Sequence, residues 1–519
     1  MAKLFEYQSK NILKKFNIKI PEGIVVSSPQ EGIKAFEDLG NIPVVLKIQL
    51  WKTGRKGIGG VKFCESKECV KESISDLLEL VVDGFPVREI LIEKKLNVKN
   101  EFFAGLIIDD EEKKPVMIFS TYGGSGIEEI AKKHPESIVK LYIDVIDGLS
   151  PFQVRQELVK KGISGKTLIK IASTLVNLYR AMREYDARSL EVNPLILTEE
   201  GEIFAADAHI VIDDYAVFRH KDLGIEIARE FPRPPTELEK IAYKVEEKDY
   251  RGTFYFIQMT EEIPKDGKHI GFHGAGGGGS MMSMDAVADE KLIIANFTDT
   301  SGNPPASKVY RAAKIILSQP NIVGYFASGS GVASQEQFHS ARGFVKAFLE
   351  EDIDIPAVLR LGGNYEEVAI EILEKYLHSK GYNVIGYGKN TSPRKAVRKL
   401  KDMIGEMPVF HRVKPLEEFI PKGDEYSFTT ITGKVYIEHN ICNKCKTKGC
   451  IDACKYNVLK LEDGKPVLAI DREDAKKGKC TECLACEIYC NFHEKGALTI
   501  VLPIPGLKEY REGIIEHNR

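Results

Sequence analysis

The sequence has no long hydrophobic run, no excess of basic charge and a single tryptophan among its 519 residues. No apolar stretch approaches the ~20 residues of a membrane-spanning helix, so we expect no membrane association. A formal net charge of −3 argues against a nucleic-acid-binding protein. The N-terminus carries Lys3 and Glu6 where a secretory signal would be apolar, and we therefore expect a cytoplasmic protein.

Cysteine is almost absent before residue 442. Only Cys64 and Cys69 occur there, and we expect both as reduced thiols, not as a disulfide. The other eight of the ten cysteines form two runs near the C-terminus, Cys442-x2-Cys445-x4-Cys450-x3-Cys454 and Cys480-x2-Cys483-x2-Cys486-x3-Cys490. Thiolates at this spacing are typical of proteins that hold two iron–sulfur clusters and transfer electrons.

The pairing of the cysteines follows from a known rule. In two-cluster ferredoxins the first three cysteines of each run bind one cluster and the fourth binds the other. The rule predicts one [4Fe-4S] cluster on Cys442, Cys445, Cys450 and Cys490, and a second on Cys480, Cys483, Cys486 and Cys454. Two structural zinc sites are the alternative, although zinc needs no fixed fourth cysteine after each triplet. Lys455 and Asn491 replace the usual proline after each run, so the cluster potentials stay open.

The rest of the chain is long enough for two further domains of ordinary size. Apolar strands alternate with charged helices in the first part, which predicts a mixed α+β domain. The predicted strands are Val44–Ile48, Glu89–Ile92, Phe103–Ile108 and Val116–Phe119. Ser28-Pro29-Gln30-Glu31 predicts a capping box that opens a helix through Phe36. The proline-rich segment Phe231–Pro235 indicates a boundary, followed by a helix from Glu237 to Glu247.

From His269 a strand, a glycine-rich turn and a helix recur five times. This order predicts an α/β, doubly wound parallel sheet. The strands are Ile270–His273, Leu292–Phe297, Ile322–Ala327, Ala357–Leu361 and Val384–Tyr387. Loops such as Gly274–Ser280 and Gly362–Asn364 follow these strands, and their backbone N–H groups at helix N-termini favour an anion site. A plain tight turn is the alternative for any single loop.

A polar linker is expected from about His411 to Thr432. Beyond it, Asp463-Gly464 predicts a hairpin between the two cysteine runs. We predict a nucleotide-binding domain, a doubly wound domain, the linker, a small α+β ferredoxin-like domain and a tail, at residues 1–240, 241–410, 411–432, 433–507 and 508–519.

Two features of the first domain suit a nucleotide. Lys47 ends an apolar strand and precedes the loop Thr53–Gly60, where glycines and cations can close over a polyphosphate, although a solvated hairpin is equally compatible. Asn193 and Asp207 lie on either side of a short predicted hairpin. Their oxygens suit Mg²⁺, with ATP phosphates and water completing its coordination.

Several motifs in one order resemble the β subunit of ADP-forming succinyl-CoA synthetase, from the N-terminus to about residue 408. They include Phe5–Lys10, Val45–Lys47, Gly123–Glu129, Glu191–Leu195, Asp213–Arg219, Gly274–Gly276 and Ala295–Phe297. The resemblance implies an ATP-grasp domain followed by a flavodoxin-like ligase domain. It also implies a reaction in which ATP, or GTP, phosphorylates a histidine, the phosphate passes to a carboxylic acid, and CoA displaces it. An α-type partner would supply that histidine and bind CoA.

The resemblance also implies roles for individual residues. Phosphates would be held by Lys47, Gly54, Arg55, Lys56 and Gly57, and the nucleotide contacted by Glu93 and Glu101. Asn193 and Asp207 would bind Mg²⁺, and Glu191 would lie beside the phosphohistidine. His273 occupies the position of a substrate-side asparagine, so it is a candidate substrate ligand or a phosphorylated catalytic residue, with a structural turn residue as the alternative.

The substrate loop departs from the family pattern. Ser330, Gly331 and Val332 would line the substrate, but the segment Ser328–Ser334 lacks the arginine that usually follows. We therefore expect an acid other than succinate, and a bulkier one. His209 also replaces the lysine that follows the family's magnesium aspartate.

Three functions are compatible with this combination of domains. The first is the β-type subunit of an acyl-CoA synthetase whose clusters exchange electrons with an oxidoreductase or ferredoxin partner. The second is an ATP-driven reductase component that activates a carboxylate and delivers electrons to it. The third is a non-catalytic assembly subunit, which the presence of Lys47, Glu191, Asn193 and Asp207 argues against.

Overall fold

The computed structural model describes residues 2–51, 54–124, 127–225, 233–329 and 331–517. The chain forms two compact units, Met1–Pro235 and Thr236–Arg519. Ser330 of the predicted substrate loop, Thr53 of the basic loop and part of the predicted boundary at Phe231-Pro232 lie outside the described residues. No helix in the described ranges is long and apolar enough to cross a membrane.

The first unit is built on antiparallel sheets. Its strands are β1 (Ala2–Lys3), β2 (Gly23–Val26), β3 (Val44–Ile48), β4 (Val61–Cys64), β5 (Val81–Val82), β6 (Phe85–Pro86), β7 (Ile90–Lys94), β8 (Val98–Asp109), β9 (Lys114–Ser120), β10 (Ile138–Tyr142), β11 (Ala187–Thr198), β12 (Ile203–Ala205) and β13 (His209–Ile212). Its helices are α1 (Glu6–Lys15), α2 (Pro29–Asp38), α3 (Lys67–Leu78), α4 (Ile127–Lys133), α5 (Pro151–Lys160) and α6 (Gly165–Glu184).

These strands form two main sheets. One runs in the order β1-β13-β11-β8-β9-β10, with β12 paired to β11, and the other in the order β2-β7-β3-β4. Helix α6 places Leu175, Leu178 and Met182 in the core of the larger sheet. Helices α2 and α3 cover the smaller one, where Phe36 and Ile74 are buried. Polar side chains of the candidate site come from interior strands of both sheets, Lys47 from β3, Glu93 from β7 and Glu191 from β11.

The helix start predicted at Ser28 is confirmed, with one difference. The Ser28 hydroxyl accepts the Glu31 backbone N–H at 3.3 Å, and Pro29 is the first helical residue. The Glu31 carboxylate, however, accepts the backbone N–H of Ser27 at 2.8 Å, not that of Ser28. The helix is therefore capped, but without the reciprocal bond of a capping box.

The expectation of two reduced thiols in this unit is wrong. Cys64, the last residue of β4, and Cys69, in the first turn of α3, form a disulfide with their Cα atoms 5.5 Å apart. The tight strand-to-helix turn brings the two side chains together at a separation that a disulfide can span. The reduced state was expected from the cellular compartment, which carries no information about this local geometry.

The second unit contains a mainly parallel sheet. Its strands are β14 (Tyr255–Gln258), β15 (His269–Ala275), β16 (Ile293–Ile294), β17 (Asn296–Asp299), β18 (Tyr325–Gly329), β19 (Ala357–Arg360) and β20 (Val384–Tyr387). Its helices are α7 (Glu237–Glu246), α8 (Gly277–Asp289), α9 (Ala306–Ile316), α10 (Phe338–Glu351), α11 (Glu366–Tyr376) and α12 (Pro393–Ile404). The order is β14-β17-β15-β18-β19-β20, with β14 antiparallel to β17 and the strands from β17 to β20 parallel.

The two cysteine runs lie in a segment that we call the cysteine module, residues 426–502. It contains the antiparallel strands β21 (Tyr426–Thr429), β22 (Lys434–Ile437) and β25 (Leu498–Val501), the hairpin β23 (Leu459–Glu462) and β24 (Lys465–Leu468), and the short helices α13 (His439–Cys442), α14 (Cys450–Ala453), α15 (Arg472–Asp474) and α16 (Ala485–His493). The hairpin predicted at Asp463-Gly464 is present, and both turn residues have positive φ, 50° and 74°. A final helix, α17 (Leu507–His517), follows the module.

The cysteine module is packed against the parallel sheet's helices. One hydrophobic core contains Ile315 of α9, Phe348 of α10 and Ile500 of the module. Arg311 of α9 donates hydrogen bonds to the Thr432 hydroxyl at 3.0 Å and the Pro503 carbonyl at 3.1 Å. The module thus forms part of the second unit. The predicted linker, by contrast, contains strand β21 at its end.

The segment predicted as a C-terminal tail is also ordered by packing. Arg511 of α17 is 1% exposed and donates to Glu351 at 2.9 Å and to the Ser318 hydroxyl at 2.8 Å. A buried guanidinium needs such partners, and they come from residues more than a hundred positions earlier in the chain. Composition alone does not reveal such long-range pairs.

Candidate functional site

The first unit buries an ionic network around Lys47, which lies in β3. The Lys47 ammonium is 2.8 Å from Glu6 Oε1 and 2.9 Å from Glu93 Oε2, and it donates to the Ala206 carbonyl at 2.6 Å. Lys10 contacts the same two carboxylates, each at 2.6 Å, and the same carbonyl at 2.7 Å. Two ammonium groups therefore share two carboxylates and one carbonyl in the interior.

Arg55 extends this network from the basic loop. Its guanidinium is 4% exposed, donates to the Ile48 carbonyl at 2.9 Å and to Asp207 Oδ1 at 2.8 Å, and forms an ion pair with Glu6 Oε2 at 2.7 Å. Gly54, Lys56 and Gly57 of the same loop are exposed. Gly54 has φ 76° and marks the point where the chain turns Arg55 inward. The loop thus divides its two cations, one in the interior and one in solvent.

The network keeps its carboxylates charged. Burial and the neighbouring Asp207 act to raise the pKa of Glu6, but Lys10, Lys47 and Arg55 outweigh them and lower it to about 2. Burial also opposes ionisation of Asp207, yet Arg55, His209 and Lys47 hold its pKa well below the usual range. At neutral pH the site therefore contains fixed carboxylates between fixed cations, held apart from bulk water.

Glu191, Asn193 and Asp207 lie on neighbouring segments. Asn193 Oδ1 accepts the Gly124 backbone N–H at 2.8 Å, and Asn193 Nδ2 is 3.4 Å from Glu191 Oε1. In the register of β11 and β13, Glu191 is opposite His209, whose Nε2 is 3.4 Å from Asp207 Oδ1. Burial raises the pKa of Glu191, although the hydrogen bond from Asn193 lowers it. Burial thus favours the protonated form of this carboxyl more than solvent would.

The two predicted nucleotide contacts, Glu93 and Glu101, differ in environment. Glu93 is 3% exposed and belongs to the ionic network. Glu101 is exposed on β8, and its Oε2 lies so close to Gly124 that a Cβ added there would be 2.7 Å from it. The structure thus places Glu101 beside the Gly123-Gly124 turn and Glu93 beside Lys47.

Sequence reasoning gave no role to Glu6 and Lys10, although both lie in a quoted motif. They are one turn apart on α1 and both are almost fully buried. A charged i, i+4 pair on the apolar side of a short helix was the available signal, because such a pair needs further partners in the interior.

A second site lies at the carboxyl ends of the parallel strands, as predicted. It is an open cleft of about 430 Å³. Its polar lining comes from His273, Thr300, Ser328, Gln337, Ser340 and Arg360. Arg360, the last residue of β19, donates to the carbonyls of Gly329 and Thr391 at 2.6 and 2.5 Å. The sequence analysis assigned no role to Arg360. The signal that could have identified it is a cation at the end of an otherwise apolar strand.

His273 lies deep in this cleft. Its Nδ1 is 2.7 Å from the Tyr325 hydroxyl, its Nε2 is 3.1 Å from the Thr300 hydroxyl, and only 2% of the residue is exposed. Burial lowers its pKa to about 3, so the imidazole is neutral at physiological pH. Both ring nitrogens are engaged, which argues against phosphorylation of His273 and favours a role in shaping the cleft. Of the predicted substrate loop, Gly331 lies beside Arg360, and Val332 is 80% exposed.

The protonation state of His273 should be visible in acid stability. Because its folded pKa of about 3 lies below its ordinary value of 6.5, the unfolded chain binds a proton below about pH 6.5 that the folded protein does not. The free energy of unfolding should therefore fall as the pH drops from about 6.5 towards about 4, and it should fall less steeply in His273→Asn. Urea unfolding across this pH range measures the difference, with exposed His378→Asn as the matched control. Parallel curves for wild type and His273→Asn would contradict a buried neutral imidazole.

The cysteines of the module separate into two groups of four. Cys454, Cys480, Cys483 and Cys486 line one small cavity, together with apolar residues that include Phe428, Val435 and Ile500. In the other group, burial together with the neighbouring Cys490, Cys442 and Cys445 raises the pKa of the Cys450 thiol to about 12. Helix α14 leads from Cys450 to Cys454, and α16 carries Cys486 and Cys490, so each helix contributes to both groups.

Backbone N–H groups point at the sulfurs of the first group. The Lys448 N–H donates to Cys445 Sγ at 3.4 Å, and the Ala497 N–H donates to Cys490 Sγ at 3.2 Å. Such bonds stabilise thiolates. Within the described ranges, no three His, Cys, Asp or Glu side chains form a group that could hold a metal ion. The cluster sites and the magnesium site therefore stay predictions.

The chain is similar to known ligase subunits. Residues 3–197 match the family model of the ATP-grasp domain. The chain is 36% identical over 371 residues to the succinate–CoA ligase [GDP-forming] subunit beta of Thermus thermophilus. This alignment covers 72% of this chain and 93% of that relative. It is 33% identical over 406 residues to the succinate–CoA ligase [ADP-forming] subunit beta of Methanocaldococcus jannaschii. This alignment covers 78% of this chain and 100% of that relative.

A solved structure shares the fold. ATP citrate lyase from Methanothrix soehngenii, in complex with citrate and coenzyme A, superposes with a TM-score of 0.56 at 20% identity, over 77% of this chain and 99% of that one. The predicted ATP-grasp fold and the predicted acid–thiol ligase subunit are confirmed. The chain belongs to the family of succinate–CoA ligase β subunits, the ATP-grasp subunits of acid–thiol ligases.

Proposed function

We propose that the chain is the nucleotide-binding subunit of an enzyme that interconverts a carboxylic acid, CoA and ATP or GTP with an acyl-CoA, the nucleoside diphosphate and phosphate. An α-type subunit would bind CoA and carry the phosphorylated histidine. The observation that carries the proposal is the ionic network that joins Lys47, Arg55, Glu93 and Asp207. Such a concentration of cations and carboxylates suits polyphosphate chemistry, because the cations can stabilise phosphate oxygens and a carboxylate can bind Mg²⁺.

The network assigns roles to its members. Both contacts of Asp207, from Arg55 and from His209, engage Oδ1. We assign its second oxygen, together with Asn193 Oδ1, to Mg²⁺, which prefers hard oxygen ligands. Lys47 would move from its carboxylate partners towards the nucleotide phosphates, with Gly54, Lys56 and Gly57 of the exposed loop around them. Calorimetric titration with MgADP, compared between wild type and Lys47→Ala, tests this assignment.

Glu191 would interact with the partner's histidine. Its carboxyl is partly buried, has a raised pKa, and is anchored by Asn193. A carboxylate in this position can accept the imidazole N–H and hold the ring in the orientation needed for phosphoryl transfer. Phosphate transfer from the nucleotide to the histidine then requires no covalent chemistry from this chain.

The carboxylic acid would enter the cleft at the carboxyl ends of the parallel strands. Arg360 lies at the cleft with its guanidinium fixed by two carbonyls, and the neutral His273 orients Thr300 and Tyr325. Small residues at Gly331 and Ala333 leave room beside them. We propose an acid other than succinate, bound by Arg360 and by backbone N–H groups of the glycine-rich loops.

The two groups of cysteines would each hold a [4Fe-4S] cluster. Two observations support this proposal: four thiols line one cavity in the second group, and backbone N–H groups donate hydrogen bonds to sulfurs in the first. Bound clusters supply one-electron transfer. The chain's own contribution is to bury the thiolates, to fix their spacing through α14 and α16, and to surround the second group with apolar side chains.

Cysteine substitutions should separate the two clusters. We expect about eight irons per anaerobically purified chain and electron paramagnetic resonance signals after dithionite reduction. Because Cys454 lies in the second group although it belongs to the first run, Cys454→Ser should alter the same signal as Cys483→Ser, and Cys445→Ser should alter the other. Cys69→Ser is the control and should alter neither. Two bound zinc ions without a paramagnetic signal would contradict the proposal.

A further inference from the structure

The first group of cysteines approaches the protein surface at one residue. Cys442, Cys450 and Cys490 are buried, whereas Cys445 is half-buried. The residues on either side of Cys445 are Lys444 and Lys446, and both are exposed. An electron that reaches this group from another protein would therefore enter where the surface is positively charged.

Two further lysines join these from other parts of the second unit. Exposed Lys495 follows Glu494, whose carboxylate accepts a hydrogen bond from Cys445 Sγ at 3.1 Å. The ammonium of exposed Lys380 lies 4.6 Å from the ring centroid of Phe492, two residues after Cys490. We call Lys380, Lys444, Lys446 and Lys495 the lysine rim.

The acidic residues of this surface do not neutralise the positive charge of the lysine rim. Between Cys442 and Cys454 the sequence has three lysines and one acid, Asp452. Glu494 accepts a hydrogen bond from the Thr447 hydroxyl and is followed in the sequence by Lys495. The local excess of positive charge is unlike the chain as a whole, whose net charge is −3.

The second group of cysteines lies beside α10, and all four of its cysteines are half-buried. Glu487, next to Cys486, is 2.7 Å from Lys346 of α10, and both side chains are buried. The same helix contributes Ser340 and Phe344 to the lining of the substrate cleft. The two groups thus differ in their neighbours: exposed lysines flank Cys445 of the first group, and the buried Lys346–Glu487 pair lies beside Cys486 of the second.

We propose that the lysine rim is the docking surface of an acidic one-electron carrier protein. This inference rests on the proposed clusters. The reduced carrier would lose one electron and the first cluster would gain it, with no bond formed or broken and no proton transferred. Complementary charges steer two such proteins together and raise the association rate by ~10- to 1,000-fold at low salt. The competing explanation is that the lysines only offset the negative charge of the cluster and its four thiolates.

Stopped-flow reduction of the iron-loaded chain distinguishes the two. The probe is a reduced ferredoxin of strongly negative net charge. Its second-order rate constant should fall about tenfold or more between about 10 mM and about 150 mM ionic strength, because screening shortens the Debye length from ~30 Å to ~8 Å. A variant with Lys380, Lys444, Lys446 and Lys495 changed to Gln should be about tenfold slower at low salt and nearly insensitive to added salt.

A matched variant controls for net charge. Lys265, Lys268, Lys291 and Lys395 are exposed lysines elsewhere in the same compact unit, and their change to Gln should leave the rate within about twofold of wild type. Equal rates for the two quadruple variants, or a salt-independent wild type, would overturn the docking surface. Electron paramagnetic resonance of each sample separates this failure from that of the clusters, because a chain without the two signals would instead overturn the proposed electron-transfer function.

Discussion

Asp207→Asn should lower nucleotide-dependent turnover by about a thousandfold, the largest effect that we expect from a single atom exchange. The asparagine keeps the size of the side chain and removes its charge. Arg55 would lose its 2.8 Å ionic partner, and the proposed magnesium site would lose its only carboxylate. Lys47 and Arg55 would then face the phosphates with one negative charge fewer beside them. This change favours binding of the metal-free nucleotide over binding of productive MgATP.

The measurement is the rate of ADP formation at saturating MgATP, in the presence of the α-type partner. Glu202→Gln is the matched control, since Glu202 is a carboxylate of the same unit that pairs with Lys19 and Lys170 at 2.7 and 2.6 Å outside the network. Its rate should stay within about twofold of wild type, as expected for a surface ion pair. Wild-type turnover in a folded Asp207→Asn protein would remove Asp207 from the site.

Lys346→Met should be the most destabilising substitution in the second unit. Lys346 Nζ is 2.7 Å from Glu487 Oε1 and 2.9 Å from Glu350 Oε1, and the Ile500 N–H also donates to Glu487. Removing the cation leaves the Glu487 carboxylate buried without its ionic partner, which costs about 3–5 kcal/mol of unfolding free energy. Because Glu487 lies between Cys486 and Cys490 on α16, we also expect loss of iron.

Urea unfolding and iron content measure the two effects. Replacing both partners, Lys346→Met with Glu487→Met, should recover much of the lost stability, because no unpaired charge then remains in the interior. Lys395→Met on α12 is the exposed control and should change stability by less than about 0.5 kcal/mol. A Lys346→Met protein as stable as this control would show that the buried pair does not hold the module in place.

Local sequence patterns predicted much of the fold. The strand Val44–Ile48 and the strand Val384–Tyr387 have the predicted bounds, and the helix after Ser28 begins where its cap was expected. These elements depend on neighbouring residues, whose periodicity and capping chemistry are visible in the sequence. The separation of the cysteines into two groups of four agrees with the rule for two-cluster ferredoxins, in which the fourth cysteine of each run joins the other group.

Features that depend on distant residues were not predictable in this way. The partners of Lys47 come from Glu6, Glu93 and Ala206, which no local pattern connects. The disulfide of Cys64 depends on a tight turn. Arg511 pairs with Glu351, which lies 160 residues earlier in the chain. The segment predicted as a tail is therefore a packed helix. In each case tertiary contacts decide the environment of a charged or reactive side chain.

ADP formation by the iron-loaded chain tests the central claim most directly. The chain is mixed with an α-type partner, MgATP, CoA and a panel of carboxylic acids, with and without dithionite. An acid–thiol ligase subunit predicts ADP release that requires both CoA and an acid and that proceeds at the same rate in the oxidised and the reduced protein. ADP release that occurs only under reduction, or that does not need CoA, would contradict the account and favour an ATP-driven reductase.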